Sequence, residues 1–146
     1  MNQTPSEPVR SALDVAVDEL VARGHESLRA EHLLLGVLGL DAGEASAALD
    51  ALSVDRSEVR HHLDVMIPSQ AFRERQGEYP YHRTGVAVLE QTMTEVRASG
   101  IDRLTSAHLL LGAIEAHGPN SVALENSGVP VDTLIDELRA RAKNLE

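Results

Sequence analysis

The chain has 146 residues, about one domain's worth, of which 42% are hydrophobic and only 2% aromatic. Thirteen basic against 23 acidic residues give a formal charge of −10, which argues against nucleic acid as a partner, because affinity for a phosphate backbone rests on Lys and Arg releasing counterions. There is no cysteine, so disulfide scaffolds, thiolate metal sites and cysteine nucleophiles are excluded.

Residues 1–8 carry neither the basic nor the apolar region of a signal peptide and are expected to be disordered ahead of the fold. A first helix follows from Val9 to Ala22, with Val9, Leu13, Ala16, Val17 and Leu20 at helical spacing and Gly24 as its stop. The second helix holds Glu31-His32-Leu33-Leu34-Leu35-Gly36, and an Ala-rich helix is expected from Glu44 to Ala51. The fourth starts at Asp55, where Asp-x-x-Glu with Glu58 forms a capping box. A polar connector, 68–83, contains all three aromatic residues, Phe72, Tyr79 and Tyr81. They either clamp the connector onto the core or form part of a partner surface, since aromatics are enriched at interface hot spots.

The pattern then begins again. Ala107-His108-Leu109-Leu110-Leu111-Gly112 repeats the Leu block 76 residues later, and Gly100 and Leu104 repeat Gly24 and Leu28 at the same offset. Farther on, Ala123-Leu124 and Leu138 repeat Ala48-Leu49 and Leu63 at an offset of 75. The second copy therefore reads as helices over 85–98, from Thr105 as N-cap, over 121–126, and from Pro130. No stretch alternates like a strand, and no apolar run approaches the ~20 residues that span a bilayer. The fold class is all-α: two pseudo-symmetric four-helix repeats packed as one domain, over residues 9–67 and 84–144. Two copies are too few for a solenoid array.

Catalytic signatures are missing. The sequence has no P-loop, no Gly-x-Gly-x-x-Gly, no Gly-x-Ser-x-Gly elbow and no His-Glu-x-x-His. Seven histidines offer no set of three ligands at metal spacing, and the repeated pair His32 and His108 suits a structural role at a helix end. No catalytic residue, metal or cofactor is expected. Glu31, at a helix start, is the one carboxylate that stands out from a solvated pattern.

The twice-occurring block, Gly24-His25 through Glu31-His32-Leu33-Leu34-Leu35-Gly36 and Gly100 through Thr105-Ser106-Ala107-His108-Leu109-Leu110-Leu111-Gly112, resembles the amino-terminal domain of Clp-type AAA+ unfoldases, the ClpC branch above all. The resemblance spans about residues 8 to 142. It implies a double Clp-N fold, no enzymatic activity, and docking of protein partners, whether a Clp adaptor, a substrate or a Clp subunit. It also implies, in each copy, a pocket for phosphorylated arginine built on a Glu and an upstream Thr. Glu31 keeps the first Glu and Ser6 is the nearest hydroxyl, whereas the second copy has Ala107 and His82 at the matching positions. One pocket is thus expected, from Glu31 and Ser6. Without an ATPase module the chain reads as part of an unfoldase or as a stand-alone accessory, cytoplasmic, with no nucleic-acid or membrane partner. Two rivals are a small-ligand module using the apolar seam between copies and an enzyme built on Glu31–His32.

Overall fold

The computed structural model describes residues 4–67, 69–71 and 73–146, and among these the fold is built from eight helices. They are α1 (Glu7–Ala22), α2 (Ala30–Leu38), α3 (Glu44–Ala51) and α4 (Arg56–Met66) in the first copy, then α5 (Arg83–Ser99), α6 (Ser106–Glu115), α7 (Gly118–Asn126) and α8 (Val131–Arg141) in the second. α1 starts two residues earlier than the periodicity predicts, because Ser6 is its N-cap and Pro8 falls in its first turn. Ser6 is fully buried, so residues 4–8 belong to the folded unit rather than preceding it. α7 likewise begins at Gly118 rather than 121, with Pro119 in its first turn.

The Leu-block helices are the centre of the molecule. All nine residues of α2 are buried, and nine of the ten in α6, which is why these two segments are apolar on every face. α1 lies on α2 and α5 on α6, and the glycine in each block sets how closely they approach. A Cβ on Gly36 would overlap the Ala12 carbonyl oxygen, and one on Gly112 would overlap the Thr92 hydroxyl and the Val88 carbonyl. Both outer helices then end in a left-handed glycine, Gly24 with φ 71° and Gly100 with φ 76°.

The copies interlock. Rather than packing on its own α4, α3 packs on α8 of the other copy, and α4 packs on α7. The chain entering α1 bridges Leu104 of the second copy, with Ser6 N–H donating to the Leu104 carbonyl at 3.0 Å. The chain entering α5 does the same to the first copy: Tyr81 bridges Leu28, and His82 N–H donates to the Leu28 carbonyl at 2.9 Å. One continuous apolar core results, running from Val9 to Ala142.

Ala substitution at Gly36 or Gly112 is expected to destabilise by about 3 kcal/mol, the upper end for overpacking, because the clash is with backbone or a buried hydroxyl. Leu34→Ala and Leu110→Ala, each fully buried, should cost about 2–5 kcal/mol. Arg73→Ala, which loses only an exposed pair with Glu26, should cost under about 1 kcal/mol. Urea unfolding followed by circular dichroism measures all five.

Candidate functional site

Each central helix starts with the repeated histidine folded back over its own first turn. His32 Nδ1 accepts the Arg29 N–H at 2.9 Å, which leaves the ring proton on Nε2, 2.7 Å from His25 Nδ1. His108 repeats the arrangement: Nδ1 accepts from Thr105 N–H at 3.0 Å, and Nε2 faces the Ser99 hydroxyl at 2.9 Å, which donates onward to the Val96 carbonyl. Both rings are fully buried. The histidines therefore satisfy helix-start donors, and the Glu31–His32 dyad needed for an enzyme is absent, since neither imidazole nitrogen of His32 faces Glu31.

Glu31 instead meets the second copy. Its Oε2 lies 3.0 Å from His117 Nε2, at the N-cap of α7, and its Oε1 accepts no hydrogen bond from any described residue. The residue is 8% exposed. It lines an open groove of about 530 Å³ with Met66 of α4 and Gly118, Pro119 and Val122 of α7. A buried carboxylate oxygen without a donor is a costly state, relieved by a cation or N–H donor arriving from outside. Next to it the Ala30 N–H donates to the Thr84 hydroxyl at 3.1 Å, and Thr84 is within 3.0 Å of His82 Nδ1. Burial pushes the His82 pKa down, helped by the charges of Arg29 and Arg83 and opposed by Glu31. The charges of Glu31, Arg29 and Arg83, drawn from both copies, thus meet at His82.

Ser6 does not share this site. It sits at the start of α6, the helix that carries Ala107, and its hydroxyl donates to Glu146 Oε1 at 2.7 Å. The same carboxylate accepts from Ser106 N–H at 2.5 Å, from the Ser106 hydroxyl at 2.8 Å and from Glu44 N–H, at the start of α3, at 2.6 Å. The pairing of Glu31 with Ser6 is corrected on this point, and the reason is the interlock. The hydroxyl at the start of each outer helix is delivered to the other copy's central helix, so Thr84 meets α2, which carries Glu31, while Ser6 meets α6, which carries Ala107. Three contributors, Thr84, His117 and Glu146, are not singled out by the sequence. Neither His117 nor Glu146 has a like residue at the equivalent position of the first copy, and Thr84 stands two residues past the position matched to Ser6.

The aromatic residues of the connector divide. Tyr79 packs against the core, and its hydroxyl accepts from Gln76 N–H at 2.8 Å. Tyr81 is fixed by its backbone bridge to Leu28 but remains 40% exposed as a residue, and Phe72 lies outside the described residues. Among the described residues no group of three His, Cys, Asp or Glu side chains could hold a metal ion, and no helix is long and apolar enough to cross a membrane.

Eight helices in two interlocked copies of one four-helix unit define a double-repeat helical fold of the Clp-N class. The family model described as the Clp repeat (R) N-terminal domain matches residues 4–127, and the chain belongs to that family. It is 30% identical over 130 residues to the negative regulator of genetic competence ClpC/MecB of Bacillus subtilis (strain 168), covering 87% of this chain but 16% of that protein. The chain thus spans about one-sixth of the length of such curated relatives. Among solved structures it resembles the Hsp104 N-terminal domain from Candida albicans, with TM-score 0.79, 14% identity, and coverage of 97% of this chain and 94% of that one. It also resembles a chain in a structure described as a peptide from the EAEC T6SS Sci1 SciI protein, with TM-score 0.65, 22% identity, and coverage of 94% and 90%.

The buried histidines make stability depend on pH. Burial, then the charges of His25, Arg23, Arg29 and His82, lower the His32 pKa from 6.5 to about 3, and burial lowers that of His108 as well. Folded His32 stays neutral while the unfolded chain takes up a proton below its ordinary pKa. Stability is therefore full above pH 6.5 and falls as pH drops from there toward 3, by about 2–3 kcal/mol at pH 4.5 from His32 alone. Urea midpoints at pH 7 and 4.5 should show this loss, and His32→Asn, which keeps an acceptor for the Arg29 N–H, should show less of it.

Proposed function

We propose that this domain docks adaptor or substrate proteins for a Clp-type unfoldase in the cytoplasm, as the N-terminal domain of such a machine or as a stand-alone accessory, and that it performs no catalysis itself. The observation that carries this reading is Glu31, a buried carboxylate with one oxygen unpartnered on the floor of an open groove. The occupant that suits it is a guanidinium, which donates to a carboxylate in a fixed fork. The guanidinium groups of Arg29 and Arg83 suit an anion beside that guanidinium. A phosphorylated arginine carries both charges in one side chain. The family, and the peptide named in the structure of a fold neighbour, favour a protein ligand over a free small molecule.

Titration calorimetry with a phosphoarginine peptide should give saturable binding at one site. Glu31→Ala should abolish it, and Arg29→Ala should weaken it at least about tenfold, the worth of a charge-assisted hydrogen bond. Absence of saturable binding, or binding indifferent to Glu31→Ala, would overturn this reading.

A further inference from the structure

One side chain of this protein sits in the fold as a ligand would. Glu146, beyond the end of α8, reaches the place where α3 and α6 begin side by side, and each of its oxygens accepts twice. Oε1 accepts from the Ser6 hydroxyl at 2.7 Å and the Ser106 N–H at 2.5 Å. Oε2 accepts from the Ser106 hydroxyl at 2.8 Å and the Glu44 N–H at 2.6 Å. These donors fill the lone pairs of a carboxylate. Ser6 and Ser106 are fully buried, and each hydroxyl is turned to donate because it already accepts a backbone N–H: from Val9 at 3.4 Å for Ser6, from Ala45 at 3.0 Å for Ser106.

Space is reserved for this carboxylate. Gly43, the N-cap of α3, has φ 100°, and a Cβ on it would come within 2.8 Å of Glu146 Oε2. Ala107, fully buried beside Ser106, stands where α2 carries Glu31, so this helix start has no acid of its own to repel an anion. Two helix starts supply N–H groups and the positive ends of their dipoles. Among the described residues no Lys or Arg side chain pairs with Glu146; Arg141, on the same segment, is engaged by Glu44 at 3.5 Å and Glu137 at 2.8 Å. Neutral donors suit one negative charge on two oxygens, whereas a phosphate brings a further charge and a third oxygen that nothing here meets. The tail itself is lightly held: Lys143, Asn144 and Leu145 are exposed, and Asn144 Nδ2 donates to Glu44 Oε1 at 3.0 Å.

We propose that Ser6, Gly43, Glu44 and Ser106 form a carboxylate site which Glu146 keeps filled as a latch, and that an Asp or Glu side chain of a partner protein takes the site over when the latch opens. That the guest is a protein rests on the docking role proposed above; the site itself lies at α6 and is independent of Glu31 on α2. The guest competes with a side chain tethered to α8 through the exposed residues 143–145, at an effective concentration of about millimolar. Binding to the latched chain is therefore weak, and loosening the tail strengthens it.

The test is an amide-detected NMR titration of the full chain and of its Glu146→Gln variant with N-acetyl-glutamate α-amide, with N-acetyl-glutamine α-amide and inorganic phosphate run alongside. In Glu146→Gln the Glu44 and Ser106 amide signals should move saturably with the glutamate compound and not with the glutamine compound, and phosphate should bind more weakly. The unchanged chain should bind the glutamate compound at least about tenfold more weakly, because its own carboxylate competes. Adding Ser106→Ala to Glu146→Gln should weaken binding about tenfold, the worth of one hydrogen bond to a charged group. The readout is at Glu44 and Ser106, so its failure is distinct from a failure of the phosphoarginine titration, which reads Glu31. The proposal is overturned if these two amides do not move saturably in Glu146→Gln, or if the unchanged chain binds as tightly as the variant. Equal binding of the glutamine compound, or tighter binding of phosphate, overturns it too. Should Glu146→Gln fail to fold, Asn144→Ala decides: it removes only an exposed tie of the tail and should bind the glutamate compound more tightly than the unchanged chain, and equal or weaker binding overturns the proposal.

Discussion

Neither copy of the repeat closes its own core. α3 needs α8, α4 needs α7, and the strand-like lead into each outer helix is paired only by the opposite copy. The constraint is one of surface. A short helix such as α3, eight residues long with four of them buried, is too short to hold itself in water and forms only against a packed neighbour. Because that neighbour belongs to the other copy, the two halves stand or fall together. The buried centre, α2 against α6, is where they meet.

The same exchange makes each enclosed helix start composite. The third helix of each copy touches the start of the other's central helix: Asn120 donates to the Ala30 carbonyl at 3.2 Å, and Ala45 N–H to the Ser106 hydroxyl at 3.0 Å. Two equivalent helix starts are thereby enclosed, and the chain has treated them differently. At α2 the donor is met by Thr84 and the Glu31 carboxylate keeps one buried oxygen without a donor; at α6 the donors converge on Glu146. The ion pair at the end of each outer helix diverges in the same manner: Glu19 is met by Arg23 at the end of α1 itself, and its counterpart Glu95 by Arg139 of α8. Shared packing residues keep the scaffold symmetric, while these few substitutions make its two faces chemically unlike.

The helices, their order and the repeat were legible because burial imposes period and offset, as the Leu blocks around His32 and His108 show. The structural role of those histidines was legible as well, since a residue placed twice at a helix start points to the helix and not to a ligand. Which copy supplies a neighbour was not. An offset of 76 fits a cis pairing of Ser6 with Glu31 as well as the trans pairing that the fold adopts, and only the packing of α1's lead-in on Leu104 separates them. His117 lies 86 residues from Glu31, and Glu146 lies 140 from Ser6, so no local pattern joins them. The start of α1 was misplaced for a related reason: Thr4-Pro5-Ser6 reads as a polar tail until Leu104 provides a bridge for it.

The connector has a meaning beyond joining two helices. A molecule with one copy of this unit would bury the same surfaces only by pairing with a twin about a twofold axis, each lending the other its third and fourth helices. Such a dimer dissolves on dilution, since its folded state is tied to protomer concentration. Residues between α4 and α5 convert that encounter into an intramolecular one, at an effective concentration of about millimolar. Tethering fixes stoichiometry at one to one and makes folding indifferent to abundance. It also frees the twins from identity, because a change in one half is no longer imposed on the other. Ser99 opposite Arg23, and Ala107 opposite Glu31, are changes that a symmetric pair of identical chains has no means to make singly.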